Sequence, residues 1–272
     1  MKVLFFCPHW GSEKLKLEEF LAKVKEAGYN GVEMNIPFDF PFAQSLKELL
    51  PRYSLNLIAQ QYLPPATETS AHYESRMAEY LYRLVSFNPL FINTHTGRDY
   101  YDFETNCRLI RRVETISKET GVKIIHETHR GRFAFSPSVA KSYFDCFPGL
   151  RITADFSHWC CVSESFLEDQ KEIMETAIPR ADHIHARVGY PQGPQVPHPA
   201  APEWSAALQY HLQWWDSIIE LQKKDGKKWF PVAPEFGPVP YLPTLPFTNQ
   251  PVASQWEVNL FIKNLLNERY NK

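Results

Sequence analysis

The chain has 272 residues, 44% of them hydrophobic and 14% aromatic, which is enough to bury a large α/β core and excludes a disordered chain. Its 29 basic and 31 acidic residues leave a formal charge of −2. With no basic run, the sequence lacks the electrostatic footprint of a nucleic-acid or anionic-membrane binder, and a small polar partner fits better.

The five cysteines, Cys7, Cys107, Cys146, Cys160 and Cys161, are odd in number and include an adjacent pair, so they read as reduced thiols of a cytoplasmic protein. The opening "MKVLFFCPHWGS" carries one lysine and a short apolar run before Pro8 and His9, which is not the pattern of a secretory signal. No stretch reaches the ~20 apolar residues of a membrane span.

In chain order, eight β-rich runs recur: "VLFFC" from Val3, "GVEMN" from Gly31, "LNLIAQ" from Leu55, "LFINTH" from Leu90, "VKIIHE" from Val122, "RITAD" from Arg151, "ADHIHAR" from Ala181 and "FPVAPE" from Phe230. Their spacing is close to one βα unit of ~30 residues, except before the last. Helical periodicity falls between them. Leu17, Phe20, Leu21 and Val24 share one face, with Ser12 as a cap and Gly28 as a stop. Further amphipathic stretches cover 71–87, 105–120, 138–146, 163–178, 202–224 and 253–267. The pattern predicts a single-domain (β/α)8 barrel over residues 1–272, with an open doubly wound sheet as the alternative.

The position of the polar residues separates the two. They gather at strand ends: Cys7 and His9, Glu33 and Asn35, Gln60, Asn93 and His95, Glu127 and His129, Asp155, His183 with His185 and Arg187, and Glu235. An open sheet has one switch-point crevice, whereas a barrel brings every carboxyl end to one mouth. Two proline-rich loops, from Tyr190 and from Phe236, follow the seventh and eighth strands and are expected to overhang that mouth stiffly.

Side chains two apart on a strand share a face, so Glu127 points with His129, and His183 and His185 with Arg187. Glu127, Asp155, His185 and Glu235 then give one donor from each of four consecutive strands. Three carboxylates and an imidazole suit one divalent ion: Mn²⁺ first, with Mg²⁺, Co²⁺ or Zn²⁺ as alternatives. Without a cation the crowded carboxylates repel and some of their pKa values rise.

The ordered set Glu127, Asp155 with His158 ("DFSH"), His183 with His185 ("HIHAR") and Glu235 ("PEFG") resembles the xylose-isomerase-like barrels, the sugar phosphate isomerase/epimerase family, over the whole chain. The resemblance implies a metal held by Glu127, Asp155, His185 and Glu235, with Glu127 and Glu235 doubling as the acid/base pair. It implies substrate contacts for His158 and His95. Arg187 stands where relatives often carry lysine, so its part is an anion or carbonyl contact, or a salt bridge to the carboxylates. His129 and His183 are either substrate contacts or partners that orient a ligand. His9, Glu33 and Gln60 either touch substrate or satisfy the rim. Trp10, Phe38, Tyr62, Trp159 and Trp204 are candidate stacking rings for sugar C–H faces. Trp214 and Trp215 in "QWW" read as core, as do Cys160 and Cys161.

The chemistry that fits is movement of a proton beside a carbonyl through a cis-enediolate, with a sugar, polyol or sugar acid as substrate. A dehydratase-like lyase would use the same groups. The endonuclease branch needs ligands that "HIHARVGYPQGPQVPHP" does not supply, and a non-catalytic sugar-binding barrel predicts indifference to metal. Relatives in this family are frequently homo-oligomers.

Overall fold

Bulky side chains alternate from Val3 onward, and the chain there is strand β1, Lys2–Pro8. Seven more follow: β2 (Gly31–Met34), β3 (Asn56–Gln61), β4 (Ile92–Thr94), β5 (Ile124–Glu127), β6 (Ile152–Ala154), β7 (Ala181–His185) and β8 (Trp229–Ala233). The computed structural model describes residues 1–272. Each strand pairs in parallel with its successor, and β8 closes on β1 through Lys2↔Trp229, Val3↔Phe230, Leu4↔Pro231 and Phe5↔Val232. The sheet is a closed (β/α)8 barrel, and the open-sheet alternative falls.

Strands β2, β4, β6, β7 and β8 end one or two residues earlier than the apolar runs suggested, whereas β1 and β3 run one residue further. His9, His95, His129, Asp155, Arg187 and Glu235 all lie just past the last paired residue. At two of these ends the backbone turns back at once, with Asp155 N–H donating to Thr153 O at 3.2 Å and Arg187 N–H to His185 O at 2.9 Å.

The helices are α1 (Leu17–Glu26), α2 (Phe40–Tyr53), α3 (Ser70–Val85), α4 (Phe103–Thr120), α5 (Pro137–Cys146), α6 (Phe156–Ser163), α7 (Lys171–Ala177), α8 (Ser205–Lys224) and α9 (Gln255–Tyr270). Ser12 is not the cap of α1. Lys16 holds that place without a side-chain bond, while Glu18 and Glu19 in the first turn and Lys23 and Lys25 in the last complement the helix dipole. Helix α2 escaped the periodicity reading because prolines sit at its start and at Pro51, yet Asp39 caps it by accepting from Phe42 N–H at 2.7 Å. The single stretch expected over 163–178 is instead α6, a short 3-10 turn and α7. Helix α6 shows no amphipathic period because Phe156 to Cys160 are all buried.

Two apolar cores result. The larger, of 60 buried residues, lies between the barrel wall and the helices. The smaller is Phe6, Ile58, Phe91, Ile125 and Ala233 inside the barrel, with Leu4 against it. Gly31 makes room for this plug, since a Cβ there would stand 2.6 Å from the Phe6 ring and 2.4 Å from Asn56 O. All five cysteines are free, with Cys7, Cys107 and Cys160 buried. Trp215 is buried as expected, and no helix is long and apolar enough to cross a membrane.

Candidate active site

Parity along the strands builds the site in tiers. The inward positions carry the apolar plug first, then Glu33, Asn93, Thr153 and His183, and then Gln60, His95, Glu127, His185 and Glu235 toward the mouth. The plug thus closes the barrel below a polar chamber, in which nearly every side chain is fully buried.

Glu127, Asp155, His185 and Glu235 converge, each offering an atom within 4.8 Å of the others. From His185 Nδ1 the distances are 2.8 Å to Glu235 Oε2, 3.5 Å to Glu127 Oε2 and 4.0 Å to Asp155 Oδ2. Close as these are, Nδ1 makes no hydrogen bond, and neither does Glu127 Oε1. Buried polar atoms are almost always paired. Acceptor atoms that crowd together without bonding one another fit a divalent cation as their common partner.

The groups behind this set hold it in place. Glu33 Oε1 lies 2.9 Å from His185 Nε2, so that ring is fixed with Nδ1 toward the carboxylates. Asn93 Nδ2 donates to Glu33 Oε1 at 3.1 Å and to Glu127 Oε2 at 2.9 Å, while its Oδ1 accepts from Thr153 Oγ1 at 2.8 Å. His95 Nε2 is 2.9 Å from Glu127 Oε2, and Gln60 Nε2 donates to Glu235 Oε1 at 3.3 Å. Asp155 accepts from the backbone and hydroxyl of Ser157 and from Arg187 Nη2.

Burial and neighbouring charges move these groups in different directions. Burial, against the pull of Arg187, lifts Asp155 to about 6. Burial also pushes Glu127 and Glu33 upward, but their histidine neighbours outweigh it and hold both well below the carboxylate range. His185 is the converse case: burial disfavours its charge, yet Glu235, Glu33 and Glu127 together raise it. Burial lowers His158, and it lowers His129 to about 3.

A cavity of about 350 Å³ opens above this set, a size suited to a monosaccharide. His9, Trp10, Gln60, His95, Glu127, His129, Arg187 and Glu235 line it, as the strand ends implied. Three expected contacts do not reach it, the first being Glu33, whose carboxylate is held by His183 and His185 below. His183 is committed to the floor, donating from Nδ1 to Pro231 O at 3.1 Å with Nε2 2.9 Å from Glu33 Oε2. His158 lies under the wall, its ring centre 3.9 Å from that of His129 at a tilt of 51° and its Nε2 2.7 Å from Arg187 Nη2. Among the stacking candidates, Trp10 and Tyr62 face the cavity. Trp159 is wholly buried with its Nε1 on Ala134 O, Phe38 is 63% exposed against Tyr80, and Trp204 packs on Tyr190.

Glu13, Asn35 and Tyr241 also line the cavity, and Tyr241 had no signal beyond its place in the proline-rich loop after β8. Its ring lies 5.0 Å from both Trp10 and the Arg187 guanidinium. The two overhanging loops are tied by Gln195, which donates to Gly237 O at 3.1 Å and accepts from Gly237 N–H at 2.7 Å.

The sequence matches no family model and no curated protein. Solved structures do resemble it over nearly the whole chain. A xylose isomerase domain containing protein from Salmonella typhimurium superposes with TM-score 0.66 at 14% identity, covering 100% of this chain and 98% of that one. The probable 3-DHS dehydratase AsbF from Bacillus anthracis gives 0.63 at 16%, covering 99% and 100%. The fold is one that a xylose isomerase-like TIM barrel protein from Mycobacterium smegmatis also has. A further solved structure, the E. coli 3-keto-D-glucoside 4-epimerase, gives 0.61 at 12%, covering 98% and 100%.

Proposed function

We propose that this protein is a divalent-metal-dependent sugar isomerase or epimerase that moves a proton on a carbon beside a carbonyl. The observation that carries the reading is the convergence of Glu127, Asp155, His185 and Glu235, with His185 Nδ1 and Glu127 Oε1 buried and unpaired, beneath a cavity of monosaccharide size. Those four residues would hold the ion, with Mn²⁺ favoured by three carboxylates and one imidazole. A divalent cation there offsets the charge that develops on substrate oxygens as the proton leaves.

The residues do the rest. Glu127 and Glu235 are the proposed acid/base pair. Each has one oxygen anchored, by His95 and Asn93 in the first case and by Gln60 in the second. Arg187 balances Asp155 and lines the cavity. Trp10, Tyr62 and Tyr241 supply apolar walls and limit water around the reacting carbon.

Solved barrels of this fold include both epimerases and a dehydratase, so the test separates the two outcomes. The protein is incubated in deuterated water with Mn²⁺ and a panel of ketoses, aldoses, inososes and sugar acids, and proton NMR follows each substrate. Solvent deuterium entering one carbon of a recovered sugar supports the isomerase reading. A product lighter by one water assigns a lyase instead, and no change with any panel member counts against both.

A further inference from the structure

Arg98 and Arg132 come from the loops after β4 and β5 and are almost wholly buried, at 4% and 3% exposure. Both place Nη2 3.3 Å from one acceptor, the carbonyl oxygen of Leu63, and Arg98 also reaches Pro64 O at 3.0 Å. Neither pairs with a carboxylate, in contrast to Arg187, which is equally buried and bound to Asp155. Arg132 Nε and Nη1 are shut from solvent and have no partner at all. Two like charges sharing one carbonyl in a dry setting repel each other and lack solvation. An anion between them would relieve both defects, and the planar donor fork of a guanidinium matches the oxygens of a carboxylate or phosphate.

Arg132 stands next to the cavity, and Arg98 is tied to it through the shared carbonyl of Leu63. The Arg132 guanidinium lies 5.2 Å from the centre of the Tyr62 ring, and that ring lines the cavity beside His95, at 5.4 Å. His95 in turn touches Glu127 at 2.9 Å. Tyr62 therefore stands between Arg132 and the chamber, and no hydrogen bond within the protein holds its hydroxyl.

We propose that Arg98 and Arg132 form an anion subsite behind Tyr62, reached when that ring turns aside, and that the substrate carries a carboxylate or phosphate at the end remote from Glu127 and Glu235. The assignment of this anion to a substrate rests on the cavity being the sugar site proposed above. The arginine subsite itself does not depend on the metal.

Calorimetric titration of the whole protein with inorganic phosphate and, separately, with acetate tests this, at fixed ionic strength and with chelator present so that no metal contributes. The expected result is saturable binding of one of the two anions at one per chain, weakened at least tenfold in Arg132→Gln and Arg98→Gln and unchanged in Arg130→Gln. Tyr62→Ala removes the partition without touching either arginine and is expected to tighten binding. It decides the matter by itself where an arginine variant fails to fold. Preference for phosphate indicates a phosphorylated sugar, and preference for acetate a sugar acid. Absence of saturable binding in both the parent and Tyr62→Ala overturns the proposal, as does retention of full affinity in a folded Arg132→Gln. The deuterium-exchange result stands apart from either outcome.

Discussion

Glu127 and Glu235 both approach His185 Nδ1, at 3.5 and 2.8 Å, and each keeps one oxygen anchored by a neighbour, Glu127 by His95 and Asn93 and Glu235 by Gln60. Glu127→Gln and Glu235→Gln preserve volume and remove the base, so each is expected to lower the rate of solvent deuterium uptake by roughly 10²–10⁴-fold, as measured by NMR with the best panel substrate. A drop under tenfold in both would remove them from the proton-transfer role. Glu33 acts one step further out. It fixes the His185 ring through Nε2 at 2.9 Å and reaches no substrate space. Glu33→Gln is expected to weaken Mn²⁺ binding by about 10–100-fold, read from the electron paramagnetic resonance signal of free Mn²⁺ in a titration. Unaltered affinity would show that the ring is held by other means.

Loops and helix starts decide whether these side chains arrive together. Asp155 leaves β6 and at once becomes the N-cap of α6, its carboxylate accepting from Ser157 N–H at 3.1 Å. The loop after β7 passes directly over that turn at Gly189, where a Cβ would stand 2.7 Å from Ser157 O and 2.8 Å from Ser157 Cα. Backbone cannot yield as a flexible side chain does. Gly189→Ala is therefore expected to destabilise the fold by about 1–3 kcal/mol in urea unfolding and to weaken Mn²⁺ binding with it. A stable variant with full metal affinity would mean that the two loops are not in the contact described.

At the scale of the molecule, closing the barrel collects charge that the isolated elements never meet. A cation that binds only this folded arrangement stabilises it, and at a hundredfold excess over its dissociation constant the gain is about 2.7 kcal/mol. Added Mn²⁺ is expected to raise the melting temperature by roughly 5–10 °C, and chelator to reverse the rise. A melting curve indifferent to both would remove the metal from the proposal.

Acid acts on the same molecule through buried neutral histidines. His126 is lowered to about 3 and His211 to about 4, both by burial. His211 already donates from Nδ1 to Ala207 O at 2.9 Å and accepts at Nε2 from Gly189 N–H at 3.2 Å, so a second ring proton would break the latter bond. In the unfolded chain these groups take up protons near 6.5, while in the folded chain they do not until about 4 or 3. The contribution of these two groups is thus intact above pH 6.5 and is lost as pH drops from there toward 4, by up to about 1.4 kcal/mol per pH unit for each group. Chemical denaturation at stepped pH checks this, and a flat profile between 6.5 and 4 would contradict it.

The sequence by itself determined the architecture and the inward set. Eight apolar runs spaced at one βα unit, with polar residues at their ends, leave a closed barrel as the arrangement in which every end contributes. Strict alternation then aims Glu127, His185 and Glu235 at one chamber, because the two-residue period of a strand is local and needs no knowledge of neighbours. Tertiary structure alone decided what meets what. That Glu33 holds His185, that His158 and His183 serve the wall and floor, that Trp159 is core while Tyr241 faces the cavity, and that Arg98 and Arg132 share a carbonyl all follow from contacts between segments far apart in the chain. Such contacts depend on loop paths and barrel register, and neither leaves a periodic trace in the residues themselves.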